Sequence, residues 1–271
     1  MGIVVFLHEP ASFSLRTGDN MAEININKIQ LVDFLTSFGK DIEDVKLEAN
    51  LNNTITVEIA FISHYVRKVL SINGKVTKAG VIEISDLPKV IRFIKATNSD
   101  TIKLKQTASG KTLYVSADAS KLQIPSSNTI VSYSKVPMIS RLIEKAEESK
   151  WTMFHKSELS VTGTINLTDL DIVSKMRTVL DSNPVFKIVA HAGENEFSIT
   201  TGKKHGVKLF TSTELKDADG PNVSIESTFG PWLMETMGIL DDGDATIHFG
   251  DSTVLVIKQH QNMLIVIDQR A

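Results

Sequence analysis

Asn27-Lys28-Ile29-Gln30 and Thr168-Asp169-Leu170-Asp171 each place a helix-capping residue ahead of apolar residues at helical spacing. The interval from Asn27 to Thr168 is 141 residues, and it recurs from Ser85, in Ser85-Asp86-Leu87-Pro88, to Glu226-Ser227. Each half of the chain therefore carries two short helices 58 residues apart. A duplicated strand-helix-strands unit repeats a surface; it does not build a single pocket.

Working outward from Asn27, Ile24 and Ile26 alternate with polar residues as a strand, and Gln30 is placed to reach back in a capping box. Leu31, Phe34, Leu35 and Phe38 form one helical stripe that Gly39 closes. Strands are expected over Val45 to Asn50, Thr54 to Phe61 and Tyr65 to Ile72, broken by Asn52-Asn53 and Asn73-Gly74 turns. Val81 to Ile84 leads into the second helix, capped by Ser85 or Asp86, and strands Thr101 to Gln106 and Thr112 to Ala117 flank a Ser109-Gly110 turn. The second half repeats the order. Val161 to Ile165, a helix over Leu170 to Leu180, and strands Val185 to Ala190, Glu196 to Thr200 and Val207 to Thr211 come first. A short helix near Pro231 to Met237 and strands Ala245 to Phe249, Thr253 to Lys258 and Met263 to Asp268 complete it.

These readings divide the chain into a first domain at 22–121, a connector at 122–158 with a helix over Ile139 to Ser149, and a second domain at 159–271. Residues 1–21 fit neither half; Met21-Ala22-Glu23 reads as a natural start, with an upstream extension or a cloning remnant, or a short edge strand Ile3 to Leu7, before it. At 271 residues and 42% apolar the chain buries a sizeable core. Its longest apolar runs are too short to span a bilayer, so a membrane role is not expected and the reading is intracellular: the cytoplasm of a prokaryote or virus-infected cell, or a nucleus. With no cysteine, disulfides and thiolate metal sites are excluded. A net charge of −3 argues against an overall basic coat but leaves local basic faces open.

Catalytic signatures fail one by one. Ser109-Gly110-Lys111-Thr112 resembles the tail of a phosphate loop, but Lys105 stands where that loop needs glycine and the segment joins two strands. Asp217-Ala218-Asp219-Gly220 with Glu226 imitates part of a calcium loop, whose first ligand position would fall on Leu215. Asp241-Asp242-Gly243-Asp244 reads as a turn before a metal site. His64, His155, His191, His205, His248 and His260 show no ligand spacing. No enzyme, cofactor or metal is expected.

The helix faces say more. Leu87, Val90, Ile91 and Ile94 define a buried stripe, which turns Lys89 and Arg92 outward with Lys95 on a flank. In the third helix, Lys175 and Arg177 stand on either shoulder of Ser174 and Thr178. In the first, Lys40 and edge residue Lys28 are diluted by Asp33; the fourth has no basic residue. Amines, guanidinium and hydroxyls in this arrangement suit phosphate oxygens and do not read bases.

Strand, helix, strands, taken twice per domain in two domains with a long connector, resembles the DNA sliding clamps, both proliferating cell nuclear antigen and the clamp of T-even-type phages. The resemblance runs from Ala22 to Arg270. It is carried by that order and by local texture at Val81-Ile82-Glu83-Ile84-Ser85-Asp86-Leu87, Leu122-Gln123-Ile124-Pro125, Glu196-Phe197-Ser198-Ile199, Val207-Lys208-Leu209-Phe210 and Asn262-Met263-Leu264-Ile265-Val266-Ile267-Asp268. It implies an α+β clamp fold of two similar domains, each of two βαβββ-type units, with sheets outside and four short helices inside. It also implies a homotrimeric ring that encircles duplex DNA without sequence preference, as a processivity factor and polymerase accessory protein in DNA replication.

On that resemblance Lys89, Arg92, Lys95, Lys175 and Arg177 face DNA, with Lys28 and Lys40 beside them, while a mildly acidic exterior keeps DNA off the outside. Strand Thr112 to Ala117 would pair with Val207 to Thr211 of a neighbouring subunit. Polymerase and clamp loader would insert short hydrophobic peptides into a groove formed by Val136, Pro137 and Met138 of the connector with Val266, Ile267 and Asp268. The alternatives are a monomeric clamp-fold processivity factor, or a β-rich two-domain enzyme or structural protein unrelated to DNA.

Overall fold

A computed structural model describes residues 21–39, 42–61, 63–126, 135–168, 186–191, 196–201, 209–212, 224–229, 233, 238–251 and 254–267. Ile24 and Ile26 point to one side of β1 (Glu23–Asn27), and Asn27 ends the strand and starts α1 (Lys28–Thr36). Its side chain accepts the Gln30 backbone N–H at 3.1 Å. The reciprocal half of the expected capping box does not form, because the Asn27 N–H already donates to the Asn73 carbonyl at 3.0 Å. The Gln30 amide instead donates to the Ser71 carbonyl at 2.8 Å and accepts the Asn73 N–H at 2.6 Å. Gln30 thus fastens α1 to the turn that enters β5 (Gly74–Lys78), a strand the sequence reading missed.

Gly74 is required there by proximity. A Cβ on it would lie 2.0 Å from the Asn25 carbonyl oxygen, so β5 closes on β1 only because the side chain is missing. Gly74→Ala is expected to cost roughly 1–3 kcal/mol and to release β5 first. Urea unfolding would report the loss, and hydrogen exchange would show it confined to residues 74–78; unchanged protection would refute it.

The first half continues through β2 (Val45–Asn50), β3 (Thr54–Ala60), β4 (His64–Ser71), β6 (Gly80–Ile84), α2 (Leu87–Ala96), β7 (Thr101–Gln106), β8 (Thr112–Ala117) and β9 (Ser120–Pro125). The second runs through α3 (Val136–Glu148), β10 (Met153–Phe154), β11 (Ser157–Glu158), β12 (Val161–Asn166), β13 (Phe186–His191), β14 (Glu196–Thr201), β15 (Leu209–Ser212), β16 (Ser224–Phe229), β17 (Asp244–Phe249), β18 (Val254–Gln259) and β19 (Asn262–Ile267). The third helix over Leu170 to Leu180, the strand over Ile3 to Leu7 and the Asp217 to Gly220 run lie outside the described residues.

Three antiparallel sheets carry the duplication. The orders are β5-β1-β7-β8-β9, β12-β17-β18-β19-β4-β3-β2-β6, and β15-β14-β13-β16. The run β12-β17-β18-β19 repeats β1-β7-β8-β9, and β15-β14-β13-β16 repeats β4-β3-β2-β6. The eight-stranded sheet is therefore a junction, in which β19 of the second half pairs with β4 of the first from Met263↔Arg67 to Val266↔His64. Polar groups fasten it: Asn262 accepts the Val69 N–H at 2.8 Å, and Lys68, 7% exposed, reaches Asp241 at 3.4 Å.

Two expectations are corrected. A helix does not open at Glu226-Ser227, because those residues pair with Val189 and Ile188 inside β16; only Leu233 of the later Pro231 to Met237 segment is described, and it is helical and buried. The connector does not begin at Leu122, and Thr112 to Ala117 is not a free edge. β9 extends to Pro125 and covers β8 along six pairs. Proline is tolerated at that position because β9 is the edge strand.

One apolar core joins α1 and α2 to the inner faces of both large sheets, from Ile24 to Val266. A second lies on the outer face of the eight-stranded sheet. There Val136, Ile143 and Ala146 of α3, followed by Trp151, Phe154 and Leu159, cover Ala60, Tyr65, Val256 and Ile265. Among the described residues no helix is long and apolar enough to cross a membrane.

Candidate functional site

Asp86 caps α2 by accepting the Lys89 backbone N–H at 3.0 Å, and Pro88 sits in its first turn. Leu87, Val90 and Ile94 are buried, which leaves Lys89, Arg92 and Lys95 exposed in a line at three-residue intervals. None of these three side chains has an ion-pair partner among the described residues. This stripe is the expected one.

Lys28 has a different duty. Its ammonium donates to the Thr97 carbonyl and, at 3.4 Å, to the Lys95 carbonyl, so it caps the C-terminus of α2 and ties the two helices together. The exposed face of α1 is Ile29, Asp33 and Thr36, with Ile29 at 70%. Lys40, Lys175 and Arg177 lie outside the described residues.

The residues proposed for a peptide groove separate. Val136 is buried in the outer core and Val266 in the inner core, on opposite faces of the sheet, so they do not line one groove. Pro137, Met138 (60%) and Ile267 (40%) are exposed, and Asp268 is outside the described residues. Much of the outer surface where such a groove was expected is filled by α3 itself.

Beyond the last turn of α3, the outer sheet face holds an open cleft of about 440 Å³, lined by Glu48, Glu58, Arg67, Glu147, Lys258 and His260 among others. Glu58 is held by Arg67 at 2.8 Å and by the Tyr65 hydroxyl. Burial, with Glu58 beside it, pushes the Glu48 carboxyl up, and burial pushes the Tyr65 phenol up. The sequence signal was the opposite charge of Glu58 and Arg67, which only the ladder shows to be cross-strand partners.

The acidic run at 241–244 is a turn. The Gln259 side chain accepts the Asp241 N–H at 2.8 Å and donates to its carbonyl at 2.7 Å, and Asp244 accepts from Asn166 at 3.0 Å. Ser109-Gly110-Lys111 likewise joins β7 to β8 and opens no helix.

His248 lies under the connector, stacked on Trp151 at 5.7 Å with Nδ1 3.0 Å from the Thr162 hydroxyl. Burial, with Lys258 nearby, pushes its imidazole down to about 4. An unfolded histidine titrates near 6.5, so below that pH the unfolded chain binds the proton first and stability falls until the folded value is passed. Above pH ~6.5 the residue contributes no pH dependence. Lowering pH from 7.5 to 4 is expected to remove roughly 2–3 kcal/mol through this residue. His248→Phe should flatten the denaturation midpoints by that difference; an unchanged slope would count against it.

No family model matches the chain, and no curated protein matches it in sequence. Solved structures match it in shape. A protein of Eubacterium rectale assigned as a DNA polymerase III beta subunit superposes with a TM-score of 0.67 at 9% identity, over 96% of this chain and 68% of that one. The beta clamp of Helicobacter pylori, crystallised with a DNA ligase peptide, gives 0.64 at 12%, over 92% and 67%. The proliferating cellular nuclear antigen of Entamoeba histolytica gives 0.62 at 12%, over 92% and 98%. At these identities the likeness is one of fold, and the chain has the DNA-clamp fold.

Proposed function

We propose that this chain is a DNA sliding clamp: a non-enzymatic processivity factor whose copies close into a ring around duplex DNA and tether replication proteins. The observation that carries the reading is the internal junction. β19 pairs with β4, and their repeat equivalents, β9 and β15, end the other two sheets with no further strand among the described residues. An edge of unpaired N–H and C=O groups is a template for another strand. If β9 of one copy meets β15 of the next as β19 meets β4 within the chain, the contact is head to tail, and such contacts form a ring when the rotation between copies closes. The trimer and the two domains flanking the α3 connector belong to this proposal. So does the placing of Lys89, Arg92, Lys95, Lys175, Arg177 and Lys40 toward DNA. A partner peptide, such as the one bound by the Helicobacter clamp, would settle beside α3 near the exposed Met138 and Ile267.

Gln123 shares its ladder phase with Lys121 and with Pro125, which has no N–H to give, so the outward donors of β9 are at 121 and 123, and Gln123→Pro removes the central one. Sedimentation of the wild-type chain is expected to give a trimer with a central hole in electron micrographs. Gln123→Pro should give a folded monomer. A wild-type chain that stays monomeric at high micromolar concentration would refute the ring and leave the monomeric tether as the better reading.

A further inference from the structure

The five-stranded sheet turns alternate residues to the core and to solvent, and its solvent face is basic in a chain whose net charge is −3. The ladder aligns Lys75, Asn25, Lys103, Ser116 and Lys121 in one row from edge to edge. The adjoining row is Lys78, Glu23, Lys105, Tyr114 and Gln123. Strands stand about 4.8 Å apart, so the three lysines of the first row are spaced roughly 10 Å apart over about 19 Å. Lys75, Lys78 and Lys121 are exposed, and the side chains of Lys103 and Lys105 keep 43% and 45% exposure while flanking Glu23. Five lysines against one glutamate leave these two rows strongly positive, a local departure from the mildly acidic exterior that the clamp resemblance implies.

We propose that this outward face binds the phosphate backbone of a nucleic acid, independently of the α2 stripe. The chemistry favours a polyphosphate over a folded protein. Protein interface cores are enriched in aromatic residues, methionine and arginine and depleted in lysine. Here the aromatic residue, Tyr114, already has the Lys121 ammonium over its ring at 3.9 Å. Lysines are point charges without the bidentate geometry that reads bases, so the contact is sequence-independent and driven by counterion release. The face also lies on the opposite side of its sheet from α1, which rests on β1 and β7 with α2 beside it. A strand held here is therefore separate from any duplex at α2.

The test uses the full chain and two fluorescent probes, a single strand and a duplex of about 20 nucleotides or base pairs, titrated from 50 to 200 mM salt. The triple variant Lys75→Gln, Lys103→Gln, Lys121→Gln is compared with Lys89→Gln, Arg92→Gln, Lys95→Gln. The outer variant is expected to reduce the slope of log affinity against log salt by about 2–3 for the probe that uses this face, while the α2 variant retains that component. The duplex and single-strand arms tell which form is held. If the outer variant binds both probes with the wild-type slope, the inference falls while the α2 assignment stands. If an acidic polyglutamate peptide displaces the probes at lower charge concentration than unlabelled nucleic acid does, the face belongs to an acidic protein segment and the inference is overturned. Lys75→Gln with Lys121→Gln alone, which leaves the lysines paired to Glu23 in place, keeps the test decisive if the triple variant unfolds.

Discussion

Replacing Lys89, Arg92 and Lys95 with glutamate is expected to weaken duplex DNA binding on the order of 10²-fold at low salt and to lower its salt slope by about 2–3. The three side chains are exposed on α2 and are not among the ion-paired residues described, so each is available to a phosphate oxygen. Reversal removes three attractive charges and adds three repulsive ones on a single helix face. The fold should tolerate it, because Leu87, Val90 and Ile94 on the opposite face hold the helix. A glutamate at position 95, in the last turn, costs about 0.3–1 kcal/mol against the helix dipole, which a melting curve would register. Unchanged affinity with an intact melt would move the DNA contact away from α2. Loss of single-strand binding alone would argue against duplex as the substrate.

That stripe was legible in sequence because four apolar residues at helical spacing leave the outward positions no choice. The strands at 101–106 and 112–117 were legible for a similar reason: alternation over six residues between turn residues. β5 and β9 were not. β5 buries only Val76, and β9 only Ile124 with Leu122 half-buried beside it, too few apolar residues to set a period. Their pairing comes from neighbours, through the close approach at Gly74 and the ladder to β8. The fourth helix was misplaced because the repeat interval is not constant. Thr101 to Asp244 is 143 residues, but Ile84 at the end of β6 to Phe229 at the end of β16 is 145, so extending 141 from Ser85 lands inside β16.

Charge placement failed in the other direction. Lys28 read as a surface cation at the edge of α1, yet its ammonium serves carbonyls of α2 nearly 70 residues away, a partner set by how the helices pack. Lys75, Lys103 and Lys121 looked unrelated in sequence. Register across five strands brings them into one row, and register is a property of pairing that no local window contains. The connector helix was expected from its residues, but its place beside the C-terminal strand came only from the clamp resemblance: an amphipathic helix announces one apolar face without saying which sheet surface receives it.

Trp151→Ala is expected to free that helix from the sheet while the inner core stays folded. Trp151 is 5% exposed, stacked with Phe154 at 6.4 Å and His248 at 5.7 Å, with the Lys258 ammonium 4.5 Å above its ring. Lys150 and Trp151 both adopt positive φ, at 55° and 62°, a conformation unfavourable for residues with side chains that packing must hold in place. Removing a buried tryptophan costs about 3–5 kcal/mol. The net loss should be smaller, because the Trp151 indole N–H is buried without a partner among the described residues, and deleting it recovers part of a 1–3 kcal/mol penalty. Trp151→Phe separates the two terms: it keeps an aromatic ring against His248 and discards the N–H, so it should cost much less than alanine. Hydrogen exchange is the measurement. Residues 136–148 should lose protection in Trp151→Ala, while β3 and β4 keep theirs on the inner core. If α3 keeps its protection, Val136, Ile143 and Ala146 hold the helix unaided, and the strained turn at 150–151 is not what locks the connector over the outer sheet.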